Sequence, residues 1–367
     1  MNCVCYPPTL LVNLCPIPYT VSIMLPGGFT VSDQHQMGTG PTLKGRGRGC
    51  LLWLGGIVAL AVGLILVGTV YESLAEAADR QAYPPPGQMV DVGGYRLHIN
   101  CTGAGSPTVV IDAGWGDWSL RWSGVQGEVA KTTQVCTYDR AGMGYSEAGS
   151  LPRNAQQFAK ELHTLLERAN IAGPYVLVGH SLGGLPVRVF VHDYPTDVAG
   201  VVLIDSMSPR QAKGSATDTP PPTPTQSSGF SIVTLPARIG LTRLFAGPLG
   251  YKSGVSPEVQ QAYTAFSVTP RSVQTFLDEG TGMPESFIQA GTVKTFGDLP
   301  LIVLWARLNK QTNWQTMQVE LLDLSSNSQQ MIADHSDHNI EIDQPEAAVG
   351  AIVKMVEQVR QRTARLP

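Results

Sequence analysis

The stretch Gly179-His180-Ser181-Leu182-Gly183 holds a serine where a backbone turn could present it as a nucleophile. The five-residue pattern recurs by chance, so its meaning rests on its flanks. Before it, Pro174-Tyr175-Val176-Leu177-Val178 is a short apolar run that predicts a strand, and Gly184 to Phe190 after it predicts a buried helix. A sharp strand-to-helix turn leaves no room for side chains two residues either side of its tip, and Gly179, Gly183 and Gly184 meet that need. Such a turn lifts Ser181 above the strand ends and aims the backbone NH of Leu182 at a developing oxyanion. The chemistry this suits is acyl transfer.

A serine hydroxyl is a weak nucleophile until a base takes its proton, so a histidine must lie beyond the last strand. In His335-Ser336-Asp337-His338-Asn339 the best choice is His338, with His335 as competitor. A metal-site reading is weaker, because no further His/Cys cluster stands at ligand spacing, and the chemistry calls for no cofactor. The acid is the hardest member to place, since Trp305-Ala306-Arg307-Leu308-Asn309-Lys310 after the seventh strand contains no carboxylate. Asp205 ends the sixth strand 24 residues after Ser181, which fits one helix plus one strand and the same sheet edge. Asp323, Asp337 or a water stay as alternatives, and Asn309 could orient an imidazole without supplying charge. A second oxyanion donor is expected from the backbone NH of Trp115, in the glycine-rich loop after Val110-Ile111-Asp112. Trp118 and Trp122 read either as pocket lining or as plain core.

Eight strands must carry these residues: Gln88 to Val92, Tyr95 to Cys101, Thr108 to Asp112, Gln134 to Asp139, Tyr175 to Val178, Ala199 to Asp205, Leu299 to Trp305 and Gln329 to Ala333. Helical patterns alternate with the later ones. Asn154 to Ala169 sets Phe158, Leu162, Leu165 and Leu166 on one face with Lys160, Glu161 and Arg168 on others, and Pro345 to Arg362 closes the chain. The alternation predicts an α/β fold with a mostly parallel sheet covered on both faces. The core is expected over 88–205 and 299–362, interrupted by a cap insertion over 206–298. That insertion opens on Thr217 to Ser228, rich in Pro, Thr and Ser and read as a mobile loop, and continues with helices over Pro257 to Phe266 and Arg271 to Glu279.

The 367 residues, 43% hydrophobic and 15% charged, suffice for one large domain with an insertion or for two small ones. A net charge of −4 without a dense Lys/Arg run argues against nucleic acid as partner and for a small or neutral substrate. Cys50 to Val70 is a nearly uncharged apolar run, long enough at about 1.5 Å per residue to cross about 30 Å of hydrocarbon. Lys44, Arg46 and Arg48 precede it and Glu72, Glu76 and Asp79 follow, so a signal anchor over 50–70 would keep the N-terminus in the cytoplasm and export the rest. The rival is a cleaved signal with Ala75-Glu76-Ala77 as cleavage site, giving a secreted protein. Residues 1–49 carry no recognisable fold, Met37 is an alternative translation start that would create a low-specificity myristoylation pattern, and 71–87 reads as a linker.

Together these residues resemble the α/β-hydrolase family from Gln88 to about Arg362. Besides the Ser181 elbow, Asp139-Arg140-Ala141-Gly142-Met143-Gly144-Tyr145-Ser146 looks like the family's D-R-x-G-x-G-x-S turn after strand four, which implies structural roles for Asp139 and Arg140. Asp112-Ala113-Gly114-Trp115 stands where the family has its oxyanion loop, with Ala113 in place of the usual histidine. Asn309 departs at the usual acid position, while some lipases and dehalogenases of the family carry the acid after strand six, as Asp205 would. A serine nucleophile argues against the dehalogenase and epoxide hydrolase branches. The family's strand order sets strand two antiparallel beside strand four, so Cys101 could face Cys136; export would permit a disulfide, against the alternative of two buried thiols. The resemblance implies a serine hydrolase acting on carboxylic esters. A lactonase, amidase, peptidase or acyltransferase would use the same residues, and a binding module without activity is the alternative of another class.

Overall fold

The computed structural model describes residues 46–214, 232–245 and 255–365. The N-terminal segment before Arg46, with Met37, and the stretch Thr217 to Ser228 lie outside the described residues. The chain divides into two units after Ile57. Within the first, the described part is the opening of helix Arg46–Ala82. The same helix carries on through the apolar run to Ala82, so residues 71–82, read from the sequence as linker, are helical.

The second unit is built on one eight-stranded sheet. Its strands are β1 (Gln88–Asp91), β2 (Arg96–Thr102), β3 (Thr108–Asp112), β4 (Val135–Tyr138), β5 (Tyr175–His180), β6 (Val198–Ile204), β7 (Leu301–Ala306) and β8 (Ser328–Ala333). Their order is β1-β2-β4-β3-β5-β6-β7-β8. β1 and β2 run antiparallel to their neighbours, and the pairs from β4 through β8 are parallel. Side chains alternate across a strand, so each central strand feeds two cores. Val110, Leu177, Val201, Leu203, Leu301 and Val303 face helices Ala155–Arg168 and Gly184–Asp193, packing with Phe158, Leu162, Leu185 and Val189. Their neighbours along the strands, Val109, Ile111, Val178, Val202, Ile302 and Leu304, meet helices Ser123–Val129 and Pro345–Thr363 through Val125, Ile352 and Val356. In register, Cys101 of β2 stands opposite Cys136 of β4, and their sulfurs are bonded.

One expectation about polarity needs correcting. Glu161, set off the apolar face of its helix, is buried, because Arg153 pairs with it at 2.6 Å and the Tyr95 hydroxyl donates to it at 2.5 Å. Trp118 and Trp122 are fully buried core, the second of the two readings; Trp118 packs against Tyr145, Tyr263 and Phe266. Between β6 and β7 the described residues form helices Leu235–Arg238, Leu241–Phe245, Pro257–Ser267 and Pro270–Thr292. The last runs well past Glu279, where the sequence pattern ends, and contains Pro284. Gly280 and Gly282 lie in it because neighbours press on them: a β-carbon would come 2.8 Å from the Trp115 ring and 1.9 Å from the Arg153 carbonyl oxygen.

Candidate active site

Ser181, Asp205 and His338 all follow the carboxyl ends of strands, β5 and β6 inside the sheet and β8 at its edge. Ser181 follows β5 directly with φ of 50°, a conformation that side chains adopt only under strain, and a short 3-10 turn feeds helix Gly184–Asp193. The flanking glycines are required by close backbone contacts. A β-carbon at Gly179 would stand 2.8 Å from the Gly183 carbonyl oxygen, one at Gly183 would stand 2.3 Å from that of Asp112, and one at Gly184 would stand 2.6 Å from the Ser206 side chain. The tight turn therefore also draws β3's end against the nucleophile.

His338, in the loop after β8, brings Nε2 to 2.9 Å from Ser181 Oγ and Nδ1 to 2.7 Å from Asp205 Oδ2. Its side chain is 28% exposed while that of Asp205 is fully buried, so one end of the relay meets solvent and the other is sealed. Asp205 follows β6 with a positive φ of 39°. Its burial is compensated by three more donors: the Ala306 NH at 2.9 Å and Trp314 Nε1 at 2.7 Å on Oδ1, and Asn309 Nδ2 at 2.8 Å on Oδ2. The residue at the position where a carboxylate was missing thus holds the carboxylate that comes from β6. The alternatives lie elsewhere. His335 is exposed, its NH bonded to Gln344, Asp337 accepts from the His338 NH, and Asp323 is exposed near the sheet's far end.

The loop after β3 passes beside Ser181: a β-carbon on Gly114 would lie 3.4 Å from Ser181 Cβ. Arg140, fully buried, holds that loop from behind. Its Nη1 donates to Ala113 O and Asp112 Oδ1, both at 2.7 Å, its Nη2 to Gly114 O, and its Nε to Glu279 Oε1 at 2.7 Å. Glu279 in turn accepts from the Gly116 NH at 3.0 Å. Trp115 sits between these fixed points, half-exposed, its ring stacked on Phe276 at 4.3 Å and its Nε1 bonded to Phe276 O. Asp139, from the same turn as Arg140, accepts from the NH groups of Ser119 and Tyr145 and stands 3.0 Å from His98 Nδ1.

A second polar cluster, missed in the sequence, lies behind the catalytic loop. His180 Nε2 donates to the His338 carbonyl at 3.0 Å, and Glu341 and Asp117 pair with Arg121 at 2.6 and 3.1 Å. Burial, with His338 beside it, pushes the His180 pKa down to about 3, so the ring is neutral and serves as a donor from Nε2. Ligand atoms of Asp117, His180 and Glu341 come within 4.8 Å of one another, a spacing a metal ion could use. Here the Arg121 guanidinium supplies the positive charge that the two carboxylates need. The parts come from segments 117–121, 180 and 341, too far apart in sequence to read as one motif.

The alpha/beta hydrolase fold model of protein families matches residues 107–345, and the chain belongs to that family. Among solved structures, epoxide hydrolase CorEH is similar with a TM-score of 0.57 and 18% identity, covering 74% of this chain and 98% of that one. A thermophilic esterase from Thermogutta terrifontis is similar with a TM-score of 0.52 and 18% identity, covering 74% and 98%. Among curated proteins, YqjL of Bacillus subtilis is 25% identical over 248 residues, 66% of this chain and 81% of that protein. The "Probable transporter efuK" of Hormonema carpetanum is 36% identical over 126 residues, and the match spans only 18% of its length.

Proposed function

We propose that the protein is a serine hydrolase that cleaves carboxylic esters through an acyl-enzyme on Ser181. The observation that carries this reading is the continuous line from Ser181 Oγ through His338 to Asp205, with gaps of 2.9 and 2.7 Å. In the proposed cycle His338 Nε2 takes the hydroxyl proton as Oγ attacks the ester carbonyl, then returns it to the leaving alcohol. Asp205 fixes the imidazole so that Nδ1 carries a proton, and stabilises the imidazolium as it forms. The backbone NH groups of Leu182 and Trp115 receive the oxyanion, each such donor contributing about 3 to 4 kcal/mol to the transition state. Water activated by His338 releases the acid. The esterase among the structural neighbours supports the reading, and a serine nucleophile speaks against the chemistry named for the epoxide hydrolase.

The substrate is a small ester, and helix Arg46–Ala82 supplies the membrane anchor, with the catalytic domain on the extracytoplasmic side. What supports an anchor is a helix long and apolar enough to cross a bilayer, a property that a signal sequence shares. The helices between β6 and β7 are the cap over the site. Hydrolysis of p-nitrophenyl esters of increasing chain length, by the wild type and by Ser181→Ala, tests the activity. Loss of turnover in the variant is expected, and equal rates would refute the mechanism.

A further inference from the structure

We propose that helix Leu241–Phe245 is a membrane-docking element, held by an ion-pair clamp at the depth where the anchor helix leaves the bilayer. The proposal rests on the anchor reading above and adds to it that the catalytic domain lies against the lipid. In this five-residue helix Leu241, Leu244 and Phe245 fall at the i, i+3, i+4 spacing of one face, and they are 41%, 68% and 66% exposed. Arg243 turns the other way. Its Nε and Nη2 bond both carboxylate oxygens of Glu72 at 2.9 and 2.8 Å, and its Nη1 bonds Asp79 at 2.5 Å. Glu72 is only 2% exposed, so a two-pronged pair shielded from water holds the helix more firmly than a surface pair would.

The depth follows from what precedes the clamp. The turn Ile239-Gly240 lies directly on the anchor: a β-carbon on Gly68 would come 2.7 Å from Ile239 O, and one on Gly240 would come 2.6 Å from the Tyr71 ring. Gly68 and Tyr71 end the anchor's charge-free stretch, since Glu72 is the first charge after Arg48. The turn therefore meets the anchor at the membrane boundary, where Val67 and Val70 are exposed for lipid. An apolar helix face presented there fits the headgroup and acyl boundary, into which interfacial helices sink by about 5–10 Å. The occupant is thus the lipid of the leaflet on the catalytic side.

The test uses the full chain in phosphatidylcholine vesicles, with Cys3, Cys5, Cys15 and Cys50 changed to serine and the Cys101–Cys136 bond kept. A single cysteine replaces Leu244, or Phe245 as a second position, and carries a polarity-sensitive dye; Leu60→Cys in the apolar run and Lys160→Cys at an exposed position of helix Ala155–Arg168 serve as references. Nitroxide lipids should quench the dye at 244 and 245 to within a factor of about two of that at 60, far beyond that at 160. Adding Arg243→Ala should release the dye toward the level at 160. Quenching at 60 but not at 244 or 245 would overturn the docking while leaving the anchor reading intact. Absence of quenching at 60 would overturn both.

Discussion

At the residue scale, the buried Asp205 carboxylate meets His338 Nδ1, while Asn309, where a carboxylate was missing, donates to it. Asp205 was reachable from the sequence, because it ends the sixth strand and the 24 residues after Ser181 fit one helix plus one strand, which sets both on the same sheet edge. Trp314 and Ala306 as its donors were not, since they sit 109 and 101 residues away and no local pattern joins them. Replacing Asp205 by Asn keeps the shape but favours the wrong imidazole tautomer and removes the charge facing the imidazolium. The kcat for an ester substrate is expected to fall by about 10⁴-fold, while a change below tenfold would point to another acid. Asn309→Asp sets a second carboxylate at a point now 2.8 Å from Asp205 Oδ2. The donated hydrogen bond is lost and two like charges repel there, drawing Asp205 away from His338, so kcat should drop. An unchanged kcat would mean that the Asn309 amide does not hold Asp205 in place.

At the scale of elements, the strands were legible to within a residue or two, because short apolar β-branched runs, buried on both faces in the central strands, are set off by glycine and polar stretches. The helix Pro270–Thr292 continues past the Arg271 to Glu279 pattern through Gly280, Gly282 and Pro284, residue types that disfavour a helix interior. The structure gives their reason: the glycines let the helix touch Trp115 and the backbone at Arg153. Gly282→Ala must push those backbones apart, and chemical denaturation should report a loss of about 1–3 kcal/mol. Arg140 was recognisable as part of a turn motif, but not as the clamp on the loop after β3, since Glu279 reaches it from the insertion. Arg140→Gln leaves Asp112 and Glu279 as buried unpaired acids, so a loss of about 3–5 kcal/mol is expected in the same measurement. A stability within error of the wild type would show that the acids find other partners.

At the scale of the whole molecule, the sheet order brings distant turns together, and with them the buried pair His98 and Asp139. Burial opposes the charge on His98, but Asp139 beside it and the Pro86 carbonyl on its other nitrogen outweigh that and raise its pKa above the ordinary histidine value. For Asp139 burial works upward and is outweighed by the His98 charge and the hydrogen bonds from Ser119, which lower it. The histidine's contribution is therefore complete below about pH 6.5 and is lost as pH rises through its raised folded value; the aspartate's is complete above about pH 3.9 and is lost as pH falls through its lowered one. Urea midpoints should decline on the alkaline side in the wild type and stay flatter in His98→Asn/Asp139→Asn; parallel curves would remove the pair from the pH dependence. The fold class and membrane-length helix were legible from composition and periodicity alone, whereas the contact of that helix with residues 239–243 depends on an insertion without a repeating pattern. The central claim is that Ser181 is an activated nucleophile in the folded protein. Peptide mass mapping after exposure to a fluorophosphonate tests it most directly: a single phosphonyl adduct on Ser181, accompanied by loss of ester hydrolysis, is the predicted result. An unlabelled Ser181 in active protein would contradict it.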